Sequence, residues 1–295
     1  MTQVVRKAVF PVAGLGTRFL PATRAIPKEM LPVMDRPLIQ WAVEEAAAAG
    51  IEEFIFVTAP GKEAIEAHFA PTPALDQALE EKGDAGLLRE SRALADLGTR
   101  MTFVLQPQPL GLGHAVWCAR EQVGDEPFAV LLPDDMVLDE TPCLQQMVTA
   151  HSEVGGNLVA VEDVPCEHTS RYGIIDPGNG EVLGETGALV TVKGLVEKPE
   201  PAAAPSTLSV IGRYILQPCI FELLDLKERG AGGEIQLTDS MATLMERQDF
   251  YALEYDGQDY DCGSKLGYFE AVLAYALDHP EIKDGAMDLV KKALG

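Results

Sequence analysis

The chain has 295 residues, 46 of them acidic against 23 basic, a formal charge of −23, and 47% hydrophobic content. That charge argues against nucleic acid and anionic membrane surfaces as partners, since both are bound through basic faces. No apolar run is long enough to span a bilayer and no leader pattern is visible, so the cytoplasm is the expected location.

In chain order, Val4 to Val12 predicts a buried strand. Asp35 is placed to cap a helix that carries Pro37 in its first turn and ends near Gly50. Phe54 to Val57 predicts a second strand, Lys62 to Phe69 a helix, and residues 73–97, rich in Leu, Ala, Glu and Lys, read as helical. Met101 to Leu105 and Phe128 to Leu132 read as strands on either side of a helix from Gly113 to Gln122. In the second half, Asn157 to Glu162, Val190 to Val196 and Leu208 to Leu216 read as strands. Cys219 to Arg229, Thr238 to Arg247, Lys265 to Leu277 and Ile282 to Leu294 read as helices, and Pro199 to Pro205 as a surface loop. Apolar strands alternating with helices predict an α/β fold of the Rossmann-like, doubly wound type, with a mostly parallel, mixed sheet covered on both faces.

The most informative stretch is Ala13-Gly14-Leu15-Gly16-Thr17-Arg18, followed by Pro27-Lys28-Glu29-Met30-Leu31-Pro32. Residues 1–28 hold five Lys or Arg and no Asp or Glu in an otherwise acidic chain, as a polyanion site requires. A Walker A loop is absent, and Phe19 stands where a dinucleotide fingerprint needs its third glycine. The remaining G-x-G-T-R lets backbone approach a ligand, with Arg18 offering a planar fork to phosphate. Lys28, on a chain restrained by Pro27 and Pro32, supplies a second point charge.

Three later clusters carry further chemistry. In Gln106-Pro107-Gln108-Pro109-Leu110-Gly111-Leu112-Gly113-His114, Gln106 or Gln108 offers an amide suited to a base edge, and His114 reads as a structural contact. Asp134 and Asp135 end an apolar strand, where carboxylates suit Mg²⁺, and Asp261 is a distant candidate to join them. Glu197-Lys198 ends another apolar run, pairing a hydroxyl acceptor with a phosphate cation, or forming a plain surface ion pair. Scattered Cys and His residues show neither C-x-x-C nor H-x-x-x-H spacing, so zinc and a disulfide framework are not expected.

Together these motifs resemble the sugar-phosphate nucleotidyltransferases, and among them the bacterial UTP–glucose-1-phosphate uridylyltransferases. The likeness rests on G-L-G-T-R-F-L-P-A-T-R-A-I-P-K-E-M-L-P, Q-P-L-G-L-G-H-A, L-P-D-D, R-Y-G-I-I, V-E-K-P, G-R-Y-I-L, G-G-E-I-Q-L-T-D and Y-D-C-G-S-K-L-G-Y, in the family's order. It implies transfer of a uridylyl group from UTP to glucose 1-phosphate, giving UDP-glucose and pyrophosphate with Mg²⁺. By resemblance, Ala13, Gly14, Gly16, Glu29, Gln106 and Gly111 belong to the nucleotide site. Arg18, Lys28 and Lys198 carry catalysis, Asp134 and Asp261 hold the metal, and Gly173, Glu197 and Gly212 contact the sugar. A single domain over 1–295 is expected, with a nucleotide half of about 1–140, a sugar half of about 141–264 and C-terminal helices from about 265. The family pattern further implies a homotetramer or homodimer. Three alternatives stay open: a relative using another nucleotide or sugar phosphate, a glycosyltransferase, and a silent UDP-sugar sensor. The adjacent Asp134 and Asp135, in place of a spaced D-x-D, count against the glycosyltransferase.

Overall fold

The structure is a computed structural model that describes residues 3–178, 182–183 and 188–294. Strand β1 (Lys7–Pro11) sends Ala8 and Phe10 to one face and Val9 to the other, so both faces demand cover. A hairpin of β2 (Pro32–Val33) and β3 (Arg36–Pro37) leads into α1 (Leu38–Ala48), β4 (Glu53–Thr58) and α2 (Glu63–Phe69). Then come α3 (Pro73–Lys82), α4 (Ala85–Gly98), β5 (Met101–Leu105), α5 (Leu112–Cys118), α6 (Arg120–Val123) and β6 (Phe128–Leu131). Strands β5, β4, β1 and β6 lie side by side in parallel. From β1 the chain steps outward through β4 to β5, then returns to β6 on the opposite side of β1. That reversal opens a crevice beyond the carboxyl ends of β1 and β6, where open α/β sheets take their ligands.

The second half contributes β7 (Asp135–Leu138), α7 (Cys143–Val154), β8 (Asn157–Asp163), β9 (Gly173–Asp176), β10 (Val182–Leu183) and β11 (Ala188–Thr191). After these follow β12 (Gly194–Glu197), β13 (Leu208–Leu216), α8 (Ile220–Leu224), α9 (Leu237–Leu244), β14 (Phe250–Glu254) and β15 (Gln258–Asp261). The described chain closes with α10 (Lys265–Asp278) and α11 (Lys283–Leu294). Strand β13 runs antiparallel between β6 and β8 and fuses both halves into one mixed sheet, of eleven strands among the described residues. One apolar layer packs Phe10, Phe54 and Phe56 beneath Ile39 and Val43 of α1 and Met147 of α7. The other packs Val9, Val57 and Val130 against Val116 of α5, Leu224 of α8 and Met241 of α9. Burying such side chains contributes about 1.5–3 kcal/mol each.

Several elements differ from or refine the sequence expectation; the helix expected from Gly113 to Gln122 is split at Ala119 into α5 and α6. Asp35 does not cap α1: it sits in the β2–β3 turn, because Arg36 and Pro37 pair back onto Val33 and Pro32. Residues 73–97 form two helices, broken where Gly83 turns left-handed at φ 73° and the Asp84 carboxylate caps Leu87 N–H at 3.1 Å. The run Val190 to Val196 is split between β11 and β12, which pair with β14 and β9 respectively. The helix begun near Cys219 ends at Leu224, with Lys227 already at φ 54°. The short strands β7, β9, β14 and β15 went unanticipated; β15 (Gln-Asp-Tyr-Asp) has little of the apolar patterning that marks a strand.

Candidate active site

Beyond β1, Val12 N–H still bonds the Val57 carbonyl at 2.9 Å, so the chain leaves the sheet only at Ala13. Gly16 then adopts φ 63°, a conformation that strains any side chain, and its missing Cβ would lie 3.0 Å from Lys28 Cβ. The glycine turn therefore closes directly onto Lys28. The resulting cleft of 560 Å³ is lined by Ala13, Gly14, Gly16 and Arg18 from the first loop. Lys28, Gln106, Gly111 and Asp134 complete its walls. Eight residues drawn from four separate segments meet in one cavity; Lys198 and Asp261, expected to share it, are not among its walls.

Charge in this cleft is tightly arranged. Lys28 Nζ donates to Asp134 Oδ2 at 2.5 Å. Burial works against the Lys28 ammonium, but Asp134, Glu29 and Asp135 outweigh it and hold its pKa above the ordinary lysine value. Burial likewise opposes the Asp134 carboxylate, yet the Lys28 charge and hydrogen bond hold its pKa below the ordinary value. Asp135, buried next to ionised Asp134, is pushed up to about 7.

Asp261 reaches this region through strand pairing: β15 runs antiparallel to β7 and sets Asp261 opposite Asp135. The next residue, Cys262, donates its N–H to the Asp134 carbonyl at 2.7 Å. A Cβ added at Gly263 would sit 2.9 Å from Asp261 Oδ1, and 3.2 Å from both Asp134 Oδ2 and Arg18 Nη1. Two carboxylates and the guanidinium thus converge around one point. Arg18 Nη1 also donates to the Gly263 carbonyl at 3.3 Å.

A second cavity of 180 Å³ adjoins the first; Leu112 and Leu132 line both. Its walls include Gly173, Glu197, Lys198, Gly212 and Thr238. Lys198 Nζ meets Glu197 Oε1 at 2.8 Å while staying 54% exposed. Its backbone is held at φ 47°, anchored by Lys198 N–H on the Tyr172 carbonyl at 2.9 Å. A bulky residue in that conformation is strained, and such strain concentrates at functional sites. Gly212 is needed for space, since a Cβ there would lie 2.4 Å from Asp135 Oδ2 and 2.6 Å from Leu132 Cβ.

Glu29 is placed differently from its expected companions. It is 1% exposed and not among the cleft walls, with Oε2 bound to Lys62 Nζ at 2.7 Å and Oε1 without a partner among the described residues. Sequence reasoning passed over Lys62, whose Gly61-Lys62-Glu63 setting carries no signal. It also passed over the buried Arg213–Glu45 pair, although a charged residue inside an apolar nine-residue strand was such a signal. Arg213 donates to Glu45 at 2.8 and 2.9 Å and to the Leu132 carbonyl at 3.0 Å, steadying the strand end before Asp134. Thr238, within the quoted G-G-E-I-Q-L-T-D run, faces Gly173 and has a buried Oγ1 with no partner among the described residues.

A glycine–arginine turn, a lysine–aspartate pair and an adjoining polar pocket at the switch point of a doubly wound sheet define a nucleotide-handling enzyme. The chain belongs to the nucleotidyl transferase family, whose model matches residues 7–277. More particularly, it is 49% identical over 280 residues to the UTP–glucose-1-phosphate uridylyltransferase of Bacillus subtilis (strain 168), covering 95% of this chain and 94% of that one. The UTP-bound UDP-glucose pyrophosphorylase of Acinetobacter baumannii superposes with a TM-score of 0.88 at 44% identity, covering 97% of this chain and 99% of that one. A UDP-glucose pyrophosphorylase complexed with UDP-glucose superposes with a TM-score of 0.81 at 42% identity, covering 92% and 98%.

Proposed function

We propose that the chain transfers the uridylyl group of UTP to glucose 1-phosphate, forming UDP-glucose and releasing pyrophosphate. The observation that carries this reading is the pair of adjoining cavities. One presents Arg18, Lys28 and Gln106, the other presents Glu197 and Lys198, and Leu112 and Leu132 form their shared wall. A nucleoside triphosphate fits the first and a sugar phosphate the second, with the reacting phosphates meeting at the junction.

A phosphate oxygen of the sugar phosphate, anionic at neutral pH, attacks the α-phosphorus of UTP. The bond from that phosphorus to the bridging oxygen breaks, and pyrophosphate leaves with the electron pair. No base is needed; the task is alignment and cancellation of charge. Two unit charges 4 Å apart repel by about 4 kcal/mol at an effective dielectric near 20, so bringing polyanions together requires fixed cations. Lys198 draws the nucleophile toward the junction, while Arg18 and Lys28 stabilise the departing pyrophosphate. Glu197 accepts from sugar hydroxyls beside Gly173 and Gly212, which line the same cavity. Ala13, Gly14, Gly16 and Gly111 let the loops close on the nucleotide, Gln106 reads the base edge, and Glu29 keeps one unused acceptor.

The carboxylates fit Mg²⁺. Asp134 and Asp261 present hard oxygens around one point, and the described residues offer no cage of three or more ligands. A small octahedral cation that completes its shell with water and phosphate oxygens suits such a sparse set. When bound, it supplies positive charge to the nucleotide phosphates. The division of labour places the nucleotide on residues of about 1–140 and the sugar on about 141–264, as in a single working unit. No helix of the described residues is long and apolar enough to cross a membrane. The family resemblance, not this absence, supports a cytoplasmic homodimer or homotetramer.

Pyrophosphate release measured with UTP, CTP, ATP and dTTP against glucose 1-phosphate tests the reading. Turnover with UTP is expected to dominate, and binding of UDP-glucose without any pyrophosphate release would replace the enzyme with a sensor.

A further inference from the structure

Gln106 follows β5 directly, its backbone N–H held by the Thr58 carbonyl at 2.8 Å, and its side chain is only 7% exposed. The amide nitrogen lies 3.2 Å from the Gly111 carbonyl and 3.0 Å from His114 Nδ1. A carbonyl can only accept, so the atom facing Gly111 is the NH₂ group, and the amide oxygen is the end left over. Among the described residues no donor meets that oxygen, and Gln106 lines the nucleotide cleft.

The second hydrogen of the same NH₂ group points to His114 Nδ1, which must therefore carry a lone pair. The ring proton then resides on Nε2, whose neighbour is Cys118 Sγ at 3.9 Å. His114 is 4% exposed on the first turn of α5, and its ring stacks on Trp117 at 5.8 Å. Burial and the nearby Lys227 charge keep its pKa below the ordinary imidazole value and outweigh the opposing pull of the Gln108 backbone carbonyl, which agrees with a neutral ring. The opposite tautomer would set N–H against N–H and favour the flipped amide.

We propose that His114 is a positioning residue which holds the Gln106 amide with its oxygen toward the base, and thereby sets the preference for uracil over cytosine. The inference rests on the nucleotide reading above and deepens it. Uracil carries a hydrogen on N3 and meets an acceptor; cytosine has a lone pair there and is repelled by one. The choice between the two bases thus passes through a histidine that need not touch either.

The test compares kcat/KM for UTP and CTP in the wild type, His114→Leu and His114→Asn, with glucose 1-phosphate saturating. Wild-type turnover with UTP first establishes the nucleotide reading, so its failure is separate from the failure of the His114 role. Losing one hydrogen bond to the amide is expected to lower the UTP-to-CTP ratio about tenfold in His114→Leu. The loss should appear as a rise in KM for UTP that exceeds any fall in kcat. His114→Asn, which restores an acceptor, should recover most of the ratio. An unchanged ratio in a folded His114→Leu variant, with both nucleotides slowed alike, would overturn the proposal. Independently of any variant, ¹⁵N NMR of the wild-type imidazole should show an unprotonated Nδ1 and a protonated Nε2. A proton on Nδ1 would refute it even where the leucine variant does not fold.

Discussion

Lys28 Nζ lies 2.5 Å from Asp134 Oδ2, so the cation assigned to the triphosphate and the carboxylate assigned to the metal neutralise one another. On the proposed reading, entry of a metal–nucleotide complex would exchange this contact for two others, Lys28 to phosphate and Asp134 to metal. The mutual charge and hydrogen bond keep both groups ionised and in place against the cost of burial.

Removing either member should therefore do more than delete a charge. Lys28→Met leaves Asp134 without its partner and strips a ligand from the polyphosphate. A loss of about 100- to 1,000-fold in kcat/KM is expected, the scale for deleting one fixed donor to developing charge. Asp134→Asn should instead raise the Mg²⁺ concentration needed for half-maximal rate. Steady-state pyrophosphate release across a Mg²⁺ titration reads both, and full activity in EDTA would remove the metal from the scheme.

Lys198 stands in the sugar-side cavity, away from the walls of the nucleotide cleft. Lys198→Ala should lower kcat by about 100- to 1,000-fold while leaving the dissociation constant for UTP within a factor of about three. Single-turnover rates together with calorimetric titration of UTP separate the two effects. Wild-type kcat in this variant would free the nucleophile's alignment from Lys198.

Gly212 packs so closely on Asp135 and Leu132 that a methyl group has no room. Gly212→Ala should destabilise the fold by about 1–3 kcal/mol through overpacking. Because Leu132 borders both cavities, kcat/KM should fall as well. Urea unfolding and steady-state kinetics check the two outcomes separately.

Arg213 is buried and pairs with the largely covered Glu45, which also accepts from Leu144 N–H at 3.0 Å. Arg213→Met strands a buried carboxylate and frees the Leu132 carbonyl, at a cost of about 3–5 kcal/mol in stability. Denaturant midpoints measure this. Arg213→Met stability equal to wild type would show that the pair contributes nothing net.

Acid should weaken the fold through its histidines. His68, His114 and His151 each have a pKa lowered by burial, with Lys227 adding to the effect at His114. A folded-state pKa below the unfolded one means that the unfolded chain takes up protons first as pH falls. Stability is thus full above the ordinary imidazole value of 6.5 and declines as pH drops from there toward the lowered folded-state values. Thermal midpoints from pH 7.5 downward should fall over that range, and His151→Gln should flatten part of the slope.

Much of this molecule is local and was legible from residues alone. Strand β5 was anticipated at Met101–Leu105 because an apolar run between turn residues has few other fates. The glycine turn, Lys28, Asp134 and Glu197–Lys198 were legible as candidate cavity residues because the proposed phosphate and sugar chemistry restricts which side chains serve, and those sit in short contiguous motifs. What the residues by themselves determined was a list of candidate groups for the chemistry and the alternation of strand and helix. Only the tertiary structure decided how the groups face one another. Asp261 reaches Asp135 through the pairing of β15 with β7, and His114 meets Gln106 through the turn between β5 and α5. Such relations depend on register and on close packing between distant segments, and these arise from the balance of the whole fold, which no local pattern encodes.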